Sequence, residues 1–178
     1  MRETLEKLAG GDRRSIGGSD EVVAEVLEDP TLFDAVSGGI LNEDPVIQTR
    51  SADAVEKITA EYPEYLRPYK EKLIQQVAGT EHQEVRWHVA QMLPRLSLIQ
   101  EERVVALSIL LGYLNDESRI VRTFWMQALA DLAEKDPSLR PRVIELLTHL
   151  TKAGTPAMKS RGRKLLDKLN KGNDEAGR

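Results

Sequence analysis

The sequence predicts an all-α protein, a short array of antiparallel helix pairs. Three observations predict it. Four segments recur at a spacing of 36 to 38 residues, each carries apolar residues at the spacing of one helix face, and no stretch shows sustained period-two alternation. The segments are twelve residues long and align without gaps: Ile47 to Ile58, Val85 to Leu96, Val121 to Leu132 and Met158 to Leu169. In each, positions 1, 5, 8, 9 and 12 fall on one side of a helix. They are Val85, Val89, Met92, Leu93 and Leu96 in the second copy, and Val121, Trp125, Ala128, Leu129 and Leu132 in the third. Ser51 and Gly162, at position 5 of the first and last copies, are the weak members.

In chain order, Arg2 to Leu8 reads as a short helix. Gly10 to Gly18, with four glycines around Asp12-Arg13-Arg14, reads as a mobile linker, so residues 1–18 stand apart from the array. Helix starts are marked by Ser19-Asp20, Asp44-Pro45, Asn115-Asp116 and Thr155-Pro156, whose side chains suit free amides at a helix N-terminus. A second helix lies between consecutive copies: Leu66, Tyr69, Leu73, Ile74, Val77; then Val104, Leu107, Leu110, Leu111, Leu114; then Leu139, Val143, Leu146, Leu147, Leu150. Leu32, Phe33, Val36 and Ile40 form a shorter version before the first copy. Leu66-Arg67-Pro68 returns as Leu139-Arg140-Pro141, 73 residues later, with proline in the first helical turn, where its missing N–H has no intrahelical partner. The repeats divide at about 19–43, 44–78, 81–114, 115–150 and 155–170, giving about four pairs and a terminal helix within a domain spanning 19–170. The tail 171–178 is expected to be disordered. One pair cannot bury its apolar face alone, whereas stacked pairs share a continuous core.

Composition bounds the chemistry. Of 178 residues, 40% are hydrophobic and 30% charged, and there is no cysteine, which excludes disulfides, thiolate zinc sites, iron–sulfur clusters and a Cys nucleophile. No apolar run approaches the ~18–20 residues of a membrane span, and the first residues lack the apolar stretch of a signal peptide. A soluble cytoplasmic protein without a membrane partner is the expectation. The net charge of −4 argues against a generally basic nucleic-acid binder. It hides a polarity: residues 1–89 hold 10 Lys/Arg against 18 Asp/Glu, and residues 90–178 hold 15 against 11. From Lys152 to Lys171 there are 7 bases and 1 acid.

The pattern resembles the HEAT repeat family of α-solenoids. The resemblance rests on Val85-Arg86 and Val121-Arg122 opening a helix behind Asp44-Pro45 or Asn115-Asp116, on the spaced Ala and Leu positions, and on the Leu-Arg-Pro entry to the other helix. It covers roughly Ser19 to Leu169. The signatures of tetratricopeptide and ankyrin repeats are missing. The resemblance implies a right-handed α-α superhelix whose second-type helices line a concave side, and a scaffolding or protein-binding use. It also implies that Arg86, Arg122 and Lys159 bridge adjacent repeats; a ladder of cations for phosphates is the alternative. Gln48 stands where the family favours Arg.

No catalytic constellation emerges. His82, His88 and His149 are the only histidines. Glu84 and His88 share a helix face but supply at most two metal ligands, and the histidines read as ordinary surface or edge residues. Gly10-Gly11 and Gly17-Gly18 precede no phosphate-loop pattern, and the His-Glu dipeptides of HEAT-fold di-iron hydroxylases are absent. The expectation is a non-enzymatic protein without cofactor or metal.

Two candidate binding features remain. Trp87 lies ~200° round its helix from Val85, away from the apolar stripe, and is either an exposed anchor or packed flat on a neighbour. The helix Glu101 to Leu114 is apolar nearly all round, which predicts a patch of Val105, Ile109 and Ile144 flanked by Glu71, Gln75 and Thr148, unless curvature buries it between repeats. The partner expected there is a protein segment laid along the concave side. The alternative partner is DNA, as for the HEAT-like alkylpurine DNA glycosylases, with Lys159, Arg161, Arg163, Lys164 and Lys168 as phosphate contacts. Against it, those cations also suit a polar cap that keeps the array soluble.

Overall fold

The computed structural model describes residues 2–12, 15–115 and 119–176. Every regular element among them is helical and none is a strand, so the protein is all-α as expected. Among the described residues, no helix is long and apolar enough to cross a membrane. The helices form two compact units, Met1–Ser97 and Leu98–Arg178. The division falls inside the stretch 81–114, which the repeat pattern reads as one pair.

Unit 1 is organised around α4 (Pro45–Glu61), against which α1 (Arg2–Leu8), α2 (Ser19–Glu28), α3 (Phe33–Gly39) and α6 (Gln83–Met92) all pack. Leu8, Val22, Val26, Val36, Val55, Ile58, Val85, Val89 and Met92 fill the space between them. Aspartate–proline pairs start two elements. The Asp44 carboxylate accepts the Val46 N–H at 2.8 Å and the Asp29 carboxylate accepts the Thr31 N–H at 3.1 Å, while the following proline leaves no amide to satisfy. Ser19 does not cap α2 as expected. Its hydroxyl donates to Asp53 on α4, and Lys57 bridges Asp53 and Asp20 at 2.7 and 2.6 Å. Burial works against charge on Lys57, but its bonds to these two carboxylates outweigh that and hold its pKa above the usual value.

The segment read as a mobile linker is held by one side chain. Arg50, in the middle of α4 and 4% exposed, donates Nη1 to the carbonyls of Leu8, Ala9 and Gly10 at 2.9, 3.3 and 2.8 Å. It donates Nη2 to Asp12 at 3.1 Å and Nε to Ser15 at 3.0 Å. These carbonyls include those that the end of α1 leaves without an intrahelical partner. Gly10, Gly11 and Gly17 adopt left-handed φ of 72°, 73° and 51°, so glycine lets the chain curl round the guanidinium. A Cβ on Gly17 would sit 2.3 Å from Arg50 Cζ. Arg13 and Arg14 lie outside the described residues.

The second helix expected over 66–77 is irregular. Pro63–Tyr69 is a 3-10 turn containing Pro68, α5 (Lys70–Lys72) follows, and Leu73–Val77 widens so that the Ala78 N–H reaches the Leu73 carbonyl at 2.9 Å. Proline inside the turn removes a main-chain donor and enforces the departure.

Unit 2 contains α7 (Gln100–Gly112), α8 (Arg119–Lys135), α9 (Arg140–Ala153) and α10 (Pro156–Ala176). Trp125, Met126, Leu129, Val143, Leu147, Met158, Leu165 and Leu169 form its core. Asp136 starts the turn before α9 by accepting the Ser138 N–H at 3.0 Å, and pairs with Arg103 of α7 at 3.1 Å. Pro141 sits in the first turn of α9, as expected. Helix continues past Lys171 to Ala176, where a disordered tail is expected; extending an existing helix costs little compared with starting one. Asp116, in the expected start of α8, lies outside the described residues, as do Gly177 and Arg178, and nothing is described of the Val121 side chain.

The weak members of the repeat are crossing points. A Cβ on Gly162 would lie 1.9 Å from Thr151 Oγ1 and 3.0 Å from Met126 Cε, and one on Gly39 would lie 2.2 Å from Ser51 Oγ. Small residues let these helices approach. On this basis Gly162→Ala is expected to cost unit 2 about 1–3 kcal/mol through overpacking, read as a lower urea midpoint. Arg50→Met strands several main-chain acceptors and is expected to cost unit 1 about 3 kcal/mol. It should also expose residues 9–18 to limited proteolysis under native conditions. Unchanged cleavage there would show that the clamp does not hold the loop.

Candidate functional site

The residues that the sequence selects for binding fall in both units. In unit 1, Glu71 and Gln75 are exposed and come together: Gln75 Nε2 donates to Glu71 Oε1 at 3.1 Å across one turn. Trp87, on α6, is half-buried. Its indole N–H donates to His88 Nε2 at 2.6 Å and the rings meet edge to face at 5.4 Å. The polar end of the tryptophan is thereby engaged within its own helix.

His88 corrects the reading of the histidines as surface residues, since it is 6% exposed. Burial pushes the imidazole pKa down to about 4; Asp53 opposes the shift, and Lys57 and Arg95 add to it. The ring is neutral at neutral pH, which is what allows Nε2 to accept from Trp87. Its proton then sits on Nδ1, which is buried without a hydrogen-bond partner among the described residues. His82 and His149 are exposed. Among the described residues no three His, Cys, Asp or Glu side chains gather in a way that holds a metal ion.

In unit 2, Val105 and Ile109 lie one turn apart on α7, the first 45% exposed and the second half-buried. Ile144 and Thr148 lie one turn apart on α9 and are both half-buried. α7 differs from its expected packing. The series Val104, Leu107, Leu110, Leu111 predicts its inner face, yet α7 buries Ala106 and Leu110, with Tyr113 just beyond, and leaves Val104 62% exposed. A helix apolar on nearly all sides can turn only one of them inward, so the rest face out. Ile99, just before α7, is 60% exposed. Val104 and Ile99 are surface residues that sequence reasoning missed, and the missing polar face of α7 is the signal that bears on them.

The basic residues of α10 do not act as one group. Lys168 pairs with Glu134 of α8 at 2.7 Å, and that bond holds its ammonium pKa above the usual value. Arg161 donates to Gln127 Oε1 at 2.9 Å. Between these contacts on α8 lies Asp131, whose carboxyl is raised by burial. Arg163 and Lys164 are exposed and Lys159 is half-buried. Arg86 donates to the Thr80 carbonyl at 2.7 Å, a contact made within unit 1.

The His88 shift has a pH signature. Unfolded, the ring titrates near its ordinary 6.5; folded, it titrates near 4, so between these values the unfolded chain binds more protons. The contribution is present above about pH 6.5 and is lost as pH falls towards 4; a shift of this size corresponds to about 3 kcal/mol. Urea unfolding at pH 5 and pH 7.5 should show a smaller pH dependence in His88→Gln than in the parent chain. Equal dependence would mean that His88 does not set it.

No protein-family model and no curated protein matches the chain. Among solved structures it is similar to a crystal structure of an engineered protein from a structural genomics consortium. The two share 16% sequence identity with a TM-score of 0.64, over 95% of this chain and 78% of the other. At that identity the likeness is one of fold: this chain and the engineered protein share an all-helical architecture.

Proposed function

We propose that this chain is a HEAT-like, right-handed helical array that works in the cytoplasm as a protein-binding scaffold, without a catalytic role. The observation that carries the reading is α7, where Val104 and Val105 stand 62% and 45% exposed with Ile109 beside them. Exposed apolar side chains grouped on one helix suit a partner that supplies the missing cover. An amphipathic helix or extended segment of a partner protein, laid against α7, suits exposed side chains of this kind. Fully burying one such aliphatic side chain stabilises a complex by about 1.5–3 kcal/mol, enough for at least a tenfold change in affinity.

The DNA alternative is weakened by the engagement of Arg161 and Lys168 with α8. The experiment is capture of partner proteins by the purified chain beside Ile109→Asp and Trp87→Ala, with helical content and thermal unfolding checked for each. Ile109→Asp is expected to lose at least one captured protein. If neither variant loses any partner while both stay folded, the binding surface is wrong. Tight binding of duplex DNA, with log affinity falling linearly in log salt, would favour the other reading.

A further inference from the structure

Aromatic residues are scarce in this protein, at 4% of the chain, and four of them gather at one corner of unit 1. The corner forms where α4 stops. Tyr62 ends the helix because the residue before a proline is pushed away from the helical region, and Pro63 then opens the turn that carries Tyr65 and Tyr69. The rings of Tyr62 and Tyr65 stack at 5.8 Å with 29° between their planes. Tyr65 meets Phe33 edge-on at 5.2 Å, and Phe33 meets Tyr69 edge-on at 5.4 Å. The row ends in a carboxylate, since the Tyr69 hydroxyl donates to Asp34 Oδ1 at 2.9 Å. Burial first, and Asp34 second, push the Tyr69 hydroxyl up to about 12, so it remains a neutral donor at neutral pH.

The row is anchored inside and open outside. Phe33 is buried, Tyr65 and Tyr69 are half-buried, and Tyr62 is 40% exposed. Asp34, Glu61 and Glu64 are exposed around it. Among the described residues, the pairs of Lys7 with Glu21 and Glu25, Lys57 with Asp20 and Asp53, and Arg95 with Glu56 do not use these three carboxylates. Of the cations in the same stretch, Arg67 is exposed, Lys72 is half-buried, and Lys70 is half-buried and reaches the Ser97 carbonyl at 3.4 Å. With Glu71, four exposed carboxylates stand against one exposed and two half-buried cations, a small negative excess at a surface that also offers π faces.

We propose that this corner binds an arginine-bearing peptide segment of a partner protein, with a guanidinium laid on Tyr62 and paired with the neighbouring carboxylates. Arginine suits both halves of the surface. Its planar, weakly hydrated head stacks on an aromatic face and donates in parallel to a carboxylate, whereas a lysine ammonium is a strongly hydrated point charge. The negative charge of the corner selects the sign of the partner and speeds its approach. This surface lies wholly in unit 1 and does not use α7, so it stands or falls apart from the scaffold reading.

The test uses the full chain labelled with 3-fluorotyrosine and three probes: a hexa-arginine peptide, a hexa-lysine peptide and a neutral proline-rich peptide. Tyr113 is buried in unit 2 and serves as the internal control among the four tyrosines. Hexa-arginine is expected to bind more tightly than the other two and to shift the fluorine signals of Tyr62, Tyr65 and Tyr69 while that of Tyr113 stays. Tyr62→Ala should weaken it about fivefold, in line with one cation–π contact, and Tyr62→Phe should restore it. Glu64→Gln should weaken it more than Glu43→Gln, which removes the same charge elsewhere on unit 1. The proposal is overturned by unmoved tyrosine signals, by an unaffected Tyr62→Ala, by equal losses in the two Gln variants, or by a neutral or lysine peptide that binds as well.

Discussion

The guanidinium of Arg50 lies within α4, the helix that every other long element of unit 1 packs against, and its N–H groups reach carbonyl oxygens from Leu8 to Ser15. A buried arginine is costly unless its donors are met, and here main-chain dipoles meet them. The same bonds solve a second problem, because the end of α1 would otherwise leave acceptors without partners. The cation also sits where the partial negative charge of that helix end collects. The two needs cancel in one place. The carbonyls of Leu8, Ala9, Gly10, Asp12 and Ser15 are gathered by it, and the glycines at 10, 11 and 17 fit this, since a chain that curls round the guanidinium needs left-handed turns.

The parts readable in the sequence are those in which an apolar side chain recurs on one face. Val85, Val89, Met92 and Leu93 are all buried, as are Trp125, Ala128, Leu129 and Leu132, because helical spacing alone decides which side turns inward. Other features needed partners far away in sequence. Arg50 and His88 share position 4 of the repeat, at the edge of the apolar stripe, where the pattern alone does not assign a polar residue to the inside, yet both are buried by what lies beyond their own helix. Ser51 and Gly162 weaken the apolar series and gain their meaning only at a helix crossing. The glycine-rich stretch has the composition of a linker, and composition does not register the carbonyls that a distant side chain collects.

The candidate surfaces divide along the same line. Val105 is legible in the sequence because α7 lacks a polar face, but which apolar side turns inward depends on α8, so Val104 belongs to the inner series by spacing and stands outside. On α10 the run of cations is spread round the helix, and two of them are taken up on one flank, where Lys168 pairs with Glu134 and Arg161 donates to Gln127. Charge counts along a chain do not reveal which charges are already satisfied. The aromatic corner is not legible in the sequence for a related reason: Phe33 is distant in the chain from the tyrosines that it joins.

The Arg50 contacts also set an order of events. Its partners lie 35 to 42 residues earlier in the chain. In a polypeptide made from its N-terminus at about 5–20 residues per second, α1 and the loop behind it wait a few seconds before Arg50 exists. Short isolated helices are marginal in water, so a seven-residue α1 gains its structure from this late arrival rather than from its own turns. Within unit 1, α1 is thus closed no earlier than Arg50 arrives, and the delay is written into the distance between a helix end and the side chain that closes it.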